Sequence, residues 1–461
     1  MMWVLSTGLA TLSSPVAAQT RAEVTASRVL VMPFETSTRE ARSYWLGEGS
    51  AVILTDGLLA LGLPAMSRDE RLRSFEALHV PAVTGLSRAT IIRVGQVVGA
   101  SHVVVGAIAL AGDDLTVRAR AILLDTGQMQ PEIVETGPLA EIFAVYDRVA
   151  QRLVPGASAT PEQLEASHPP IAAFEQYIKG LLAQTPATKL AFLNEALRLS
   201  PSLQVARIAA WNVHQDLGDN DRALAVVRQV PAGHRLARQA RFLASVSHLQ
   251  MGRYQDAFDG LTQLNQEGRD ATLLNNLGVV QLRRPAGSTG GRAVSHFNEA
   301  AGLDGVDSFF NLGYAYWLDG DTAAAIQWLH EAVRRNPADD AAHYVLGVAL
   351  QAAGSATEAA RESELARRLS SVWAEREATP ASGSVPRGLE RVRMDLGLPA
   401  SLRVENVIVA AGQRDQKQLA AFHLESGRRA YAAERDAEAI AELRRAVYLS
   451  PYDHEIGRAH V

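Results

Sequence analysis

The sequence predicts an α+β/α multidomain chain, a small α/β domain followed by a longer α-helical solenoid. Three observations carry this prediction. At 461 residues the chain is too long for one ordinary core. Strand-length apolar runs are confined to the first third, beginning with Arg28-Val29-Leu30-Val31-Met32-Pro33-Phe34. Beyond Pro170, small and bulky residues recur with the spacing of paired helices, Gly313 and Gly347 standing 34 residues apart.

In the amino-terminal part, Pro33 ends the first strand. Trp45 to Leu61 has a helical period despite Gly47, Gly49 and Gly57. Pro64 to Ser67 reads as a short strand and Arg88 to Val98 as a second helix. Ser101 to Leu110 and Leu115 to Leu124 form a hairpin around Ala111-Gly112-Asp113-Asp114. Its first strand is apolar on both faces and so central, while its second turns Thr116, Arg118 and Arg120 to water. Asp125-Thr126-Gly127 leads into an edge strand held open by Pro131, and Pro138 to Val154 is a closing helix. This order resembles the TolB amino-terminal-like domain over residues 28–154. The matching stretches are Val29 to Phe34, Leu46-Gly47-Glu48-Gly49, Val97 to Gly106 and Leu123 to Gly127. Val52-Ile53-Leu54 departs from that pattern, in a helix that is usually more charged.

The clearest repeat unit runs from Phe309 to Pro337. It holds Phe309, Leu312, Gly313 and Tyr316 in a first helix, then Asp319-Gly320-Asp321, then Ala325, Leu329 and Ala332. The next unit repeats Leu346-Gly347 with Ala359 and Ala366, and an upstream one has Leu277-Gly278 with Ala293, Phe297 and Ala300. Glycine where two helices cross lets their backbones approach, and proline after the second helix stops it. A period of about 34 in helix–turn–helix units resembles the tetratricopeptide repeat family. Gly180, Leu193, Ala196 and Pro201 extend the resemblance to the near end, and Gly427, Ala439, Leu443, Ala446 and Pro451 to the far end. Gly218 with Ala223, and Gly252 with Tyr254 and Ala257, mark two weaker units, making seven hairpins in all.

The expected organisation is a signal peptide over residues 1–19, the α/β domain over 28–154 and about six hairpins over 168–370. A linker over 371–416 and a further hairpin over 417–455 follow. The apolar start ending in Val16-Ala17-Ala18 has the grammar of a secretory signal, although no Lys or Arg precedes it. The alternatives are a start codon set too late and an apolar tail of a cytoplasmic protein. Residues 456–461, Ile-Gly-Arg-Ala-His-Val, match one reading frame of a common sequencing adapter. They are therefore expected to be the non-native end of a truncated chain. The glycine-rich turn from Arg283 to Gly291 lacks the Lys-Ser/Thr of a phosphate cradle and reads as a flexible surface loop.

No catalytic residues, metal ligands or cofactors are expected. The absence of cysteine excludes disulfides, thiolate nucleophiles and a lipidated amino-terminal cysteine. Gly47-Glu48-Gly49-Ser50 is incomplete as a dinucleotide loop and reads as helix-start packing; Asp113-Asp114 reads as a hairpin tip rather than a metal pair. A net charge of −5 gives no reason to expect nucleic acid. No stretch beyond the signal is apolar for the ~20 residues that a spanning helix needs. A protein or peptide partner remains, with peripheral envelope association open.

In tetratricopeptide arrays the first helix of each hairpin lines a concave groove. Here Phe310, Tyr314 and Trp317 follow one another at i, i+4, i+7 beside the core stripe, and the next unit adds Tyr344. Asn276 and Asn311 precede the Leu-Gly pairs, and the resemblance implies that such asparagines hold a peptide backbone. An amide both donates and accepts, which suits an extended chain. The expected site is an aromatic-lined groove between about Leu274 and Gln351 for an apolar peptide or helix. The competing reading packs these aromatics between hairpins or under the following helix. The expected function is a non-enzymatic scaffold, periplasmic or otherwise exported, with cytoplasmic residence as the alternative location. A signalling or regulatory protein without an output domain is the alternative function, and an enzyme in the α/β domain ranks last.

Overall fold

The structure is a computed structural model that describes residues 28–36, 43–77, 86–124, 127–154, 168–303, 308–377, 384–394 and 396, with scattered positions between 424 and 446. The signal-like start, the 125–126 turn, the suspected foreign terminus and most of the last expected hairpin lie outside the described residues.

The amino-terminal region is a mixed sheet with helices. Strands β1 (Val29–Val31) and β2 (Glu35–Thr36) both run parallel to β3 (His102–Ala111). β3 pairs antiparallel with β4 (Asp114–Leu123), and β5 (Ile133–Pro138) closes the edge. The hairpin turn is tighter than the four residues expected, with Gly112 in the left-handed region at φ 64°. Gly106 on β3 is required by Phe34, whose ring would stand 2.2 Å from an added Cβ. Pro64 to Ser67 contributes only a single bridge, Ala65 to Val29, rather than a strand.

Helix α1 (Leu46–Ala60) covers one face of the sheet together with α4 (Ile142–Leu153). α4 buries Ile142, Phe143, Val145, Tyr146, Val149 and Ala150, the i, i+3, i+4, i+7 stripe of an amphipathic helix. Helices α2 (Arg68–Ala77) and α3 (Arg88–Val97) lie beside a second, smaller core of Leu30, Met32, Met66, Phe75, Val94 and Val103. Gly47 and Gly49 serve packing at the start of α1. A Cβ on Gly47 would meet the Phe34 carbonyl oxygen at 2.6 Å, and one on Gly49 the Trp45 ring at 2.9 Å.

Among the described residues, six antiparallel helix pairs follow. They are α5 (Ile171–Leu182) with α6 (Pro186–Leu199), α7 (Gln204–Asp216) with α8 (Asn220–Val227), and α9 (Ala237–Gln250) with α10 (Tyr254–Glu267). Then come α11 (Ala271–Arg283) with α12 (Ala293–Gly302), α13 (Ser308–Leu318) with α14 (Thr322–Arg335), and α15 (Asp340–Ala352) with α16 (Ala356–Leu369). A short helix, α17 (Ser371–Glu377), packs on the last pair. Local chemistry explains the turns. Gly218, Gly252, Gly320 and Gly354 each end a first helix at positive φ, and the Asp219 and Asp321 side chains cap the second helices that follow.

The array is fused to the sheet region rather than tethered to it. Phe174 and Ile178 on α5 belong to the same core as Trp45, Leu46, Phe143 and Tyr146. Among the described residues no helix is long and apolar enough to cross a membrane.

Candidate peptide-binding groove

The first helices α11, α13 and α15 stand side by side and present Asn275, Asn276, Phe310, Asn311, Tyr314 and Tyr344 along one face. All six are buried, Asn275, Asn276, Asn311 and Tyr314 completely. The chain's own segment from Ser384 to Met394, part of the stretch read as a linker, lies along this face and touches the asparagines, Phe310 and both tyrosines, while Tyr344 also packs under Trp373 of the following helix α17.

This strap is held chiefly by its backbone. Asn311 donates from Nδ2 to the Arg391 carbonyl at 2.8 Å and accepts from the Arg391 amide at Oδ1, 2.7 Å. One repeat upstream, Asn276 treats Arg393 in the same way, donating to its carbonyl at 2.8 Å and accepting from its amide at 2.8 Å. Residues two apart on an extended chain present their amide and carbonyl to the same side, ~6.6 Å apart. The paired asparagines therefore imitate the edge of a β-sheet. Asn275 adds a donor to the Arg391 carbonyl at 2.9 Å and accepts from Asn311 at 2.9 Å, so the amides also fix each other.

Where the asparagines stop, tyrosines continue. The Tyr314 hydroxyl donates to the Pro386 carbonyl at 2.8 Å, and that of Tyr344 to the Ser384 carbonyl at 3.1 Å. Burial pushes the Tyr314 phenol above its ordinary pKa, with the Glu390 carboxylate acting in the same direction. The hydroxyl therefore stays a donor. Tyr344 stacks on Trp373 at 4.2 Å between centroids, and Trp373 donates to Asp340 at 2.6 Å. Arg376 of α17 donates to the Ser384 carbonyl at 3.0 Å.

The strap runs opposite to the order of the repeats, from α15 past α13 to α11. Its Val385 and Leu389 pack on the aliphatic core of the last two pairs, and Val392 and Leu396 on that of the preceding ones. Met394 reaches a cleft beyond α11 lined by Trp211 and Asn212 of the array and by Asp69 and Leu72 of α2.

Side chains of the strap are read as well. The Arg391 guanidinium lies 3.9 Å from the centroid of Phe310 and donates to both carboxylate oxygens of Asp339, Nη1 to Oδ2 at 2.6 Å. Asp339 is 4% exposed in its side chain and also caps α15, accepting from the Ala342 amide at 3.0 Å. Glu390 accepts from Arg283 at 2.7 Å.

A model of the tetratricopeptide repeat family matches residues 209–264, 291–339 and 310–370. The carboxy-terminal part of the chain carries tetratricopeptide repeats, and its paired helices form a TPR-like array. It is a protein-interaction scaffold of a kind that is typically non-catalytic. No curated protein matches this chain. Among solved structures, the Cut9–Hcn1 hetero-tetramer of the APC/C is 19% identical over 47% of this chain, with a TM-score of 0.38. That match spans 45% of the Cut9–Hcn1 chain, less than half of its length. YrrB, a TPR protein with an unusual peptide-binding site, is 17% identical over 41% of this chain and 98% of its own, with a TM-score of 0.31. The carboxy-terminal part of a TPR repeat-containing protein from Cytophaga hutchinsonii is 16% identical over 54% of this chain and 97% of its own, with a TM-score of 0.30.

Of the residues singled out from sequence, Asn276, Phe310, Asn311, Tyr314 and Tyr344 meet on the strap-bearing face of the tetratricopeptide array. Trp317 is half-buried against the core of the last two pairs instead. The strap lies over this face, so the chain's own residues 384–394 occupy the aromatic-lined groove. Asn275, Asp339 and Arg283 escaped the sequence reading, as did the strap itself. A signal was present in Val385, Leu389 and Val392, apolar residues interspersed in a polar tract. Across the turn from Arg283 to Gly291, Gln281 donates to the Gly291 carbonyl at 2.6 Å and Arg284 to the Thr289 carbonyl at 2.7 Å.

Proposed function

We propose that this chain is an exported, non-enzymatic scaffold of the cell envelope, whose tetratricopeptide groove takes a segment of a protein partner in extended form. The observation that carries the groove reading is the two-point grip of Asn276 and Asn311 on the backbone of residues 393 and 391. A helical ligand has already spent its backbone groups internally and could not satisfy these amides. An extended one can. The resemblance of the sheet region to the TolB amino-terminal-like module supports a second docking surface in an envelope assembly, and the apolar start of the sequence supports export to the periplasm.

Two experiments test this reading. A tagged full chain expressed from its own gene is fractionated, and residence in the cytoplasm defeats export. A partner recovered by the wild-type chain should be lost with Asn276→Ala/Asn311→Ala, and undiminished recovery defeats the groove. Occupation of the groove in cis favours a second, regulatory reading in which exposure of the site is controlled. That reading predicts that the partner and the strap are never bound together.

A further inference from the structure

Backbone recognition cannot by itself select a partner, because every extended chain offers the same groups. Selection must come from the sockets that receive side chains, and the groove has one that is chemically specific. Asp339 is almost wholly withdrawn from water, yet its carboxylate is a charge, and a buried charge is tolerated only when paired. Its capping bond to the Ala342 amide uses Oδ1 and leaves most of its acceptor capacity aimed at the groove. Beside it, Phe310 offers a ring face, and Asn311 fixes the backbone of the residue whose side chain enters.

A carboxylate edge next to an aromatic face, at a set distance from a backbone clamp, fits a planar guanidinium. An ammonium cannot form two parallel bonds to the carboxylate while lying flat on the ring. The strap places Arg391 there, preceded by Glu390, which pairs with Arg283, and followed by Val392. We infer that Asp339, Phe310 and Asn311 form an arginine socket, that the partner is an extended segment carrying an arginine with aliphatic residues two positions before and one after it, and that residues 384–394 are the resident segment this partner displaces. The inference rests on the groove being a peptide site and adds which peptide it takes.

The test uses fluorescein-labelled synthetic peptides with the sequence of residues 384–394, one unchanged and others carrying Arg391→Ala or Arg391→Lys. Each is titrated by fluorescence anisotropy against the full chain and against a full chain whose residues 384–394 are replaced by a Gly-Ser tract of equal length. The replaced chain should bind the unchanged peptide at least ~10-fold more tightly than the wild-type chain, whose groove is filled. The alanine peptide should bind the replaced chain roughly 30-fold more weakly than the unchanged one, as for loss of one partner of a buried charge pair, with the lysine peptide between them. Adding Asp339→Asn, which keeps the helix cap, should abolish the preference for arginine.

If the replaced chain retains its helical circular dichroism and binds none of the peptides, the groove reading itself falls. If it binds the arginine and alanine peptides alike, the groove reading survives and the arginine socket is overturned. If arginine is preferred but wild-type and replaced chains bind equally, the strap is not a competitor and that part of the inference is overturned.

Discussion

Asn311 satisfies both backbone groups of Arg391, a residue 80 positions away, at 2.7 and 2.8 Å. Removing that side chain leaves the Arg391 amide partly buried without a partner, while the carbonyl keeps its bond from Asn275. One such group costs ~1–3 kcal/mol, so Asn311→Ala should loosen the strap by about that much. The expected result is faster deuterium uptake at residues 384–394, by about tenfold or more, with exchange in α5 to α8 unchanged. Slow exchange at Arg391 in this variant would mean that aliphatic contacts, not the amide grip, hold the strap.

The strap bends at Gly388, whose φ of +88° is a conformation that side chains resist. Gly388→Ala should cost ~1–2 kcal/mol of strap docking and little of the array's own stability. Limited trypsin digestion reads this directly. Cleavage after Arg391 should accelerate by up to roughly tenfold in the variant, while the denaturation midpoint stays put.

Repeats were legible in the sequence because their cause is local and recurs: a missing Cβ on one helix matched to a bulky residue on its partner. Gly313 faces Leu329, Gly278 faces Phe297 and Gly427 faces Leu443, at Cβ distances that no side chain would survive unshifted. The β3–β4 hairpin was legible for the same reason, its alternation being complete within twenty residues. The helix α2 was not. Arg-Asp-Glu-Arg-Leu-Arg-Ser-Phe-Glu-Ala has no apolar stripe: its buried face is made by Arg71 and Ser74 as well as Phe75, with Leu72 half-buried beside them. Nor was the strap legible, because what holds it is mostly backbone, and backbone leaves no residue signature. Composition marks Pro386 and Gly388 as linker-like whether the segment wanders in solvent or lies in a groove.

The glycine contacts differ in a way that mutation can expose. At Gly278 the three atoms nearest an added Cβ all belong to the Phe297 ring, the closest at 2.6 Å, whereas at Gly313 they include the Leu329 side chain and, at 3.0 Å, the Leu329 backbone nitrogen. Alanine gains up to ~1 kcal/mol of helix propensity at either site, against ~1–3 kcal/mol for overpacking. Gly278→Ala should therefore be rescued in part by Phe297→Leu, while Gly313→Ala should not be rescued by Leu329→Ala. Urea denaturation of the two double-mutant cycles checks this, and equal rescue would contradict the distinction.

Arg71 is buried in the sheet region, donating to the Val31 carbonyl at 2.9 Å and pairing with Glu48, which also accepts from Arg68 at 2.8 Å. Arg68 reaches on to the Leu181 carbonyl of α5 at 3.3 Å, so this cluster ties the sheet to the array. Desolvation lowers the Arg71 pKa, and Glu48 is the largest influence opposing it. Glu48→Leu would strand a buried guanidinium and should cost about 3–5 kcal/mol, the range for breaking a buried pair from one side. A thermal midpoint within two degrees or so of wild type would show that water or another acceptor replaces the carboxylate.

His248, at the end of α9, should contribute to the response of the array to acid, as should His214 and His234, which burial shifts in the same direction. The His248 pKa is lowered first by burial, and the nearby Arg228 and Arg253 charges act in the same direction while Asp256 opposes them. The Arg228 guanidinium, a donor only, lies 3.1 Å from Nε2, so that nitrogen must keep its lone pair. The folded chain therefore binds this proton less readily than the unfolded chain, where histidine titrates near ~6.5. Stability is complete above that value and is lost as the pH falls below it, toward the lower pKa of the folded state. His248→Gln can accept from Arg228 without titrating, so it should flatten this part of the pH–stability profile and leave stability near neutrality changed by less than about 1 kcal/mol. Denaturation midpoints measured between pH 5 and pH 8 for the two chains check the prediction; parallel profiles would place the acid sensitivity elsewhere.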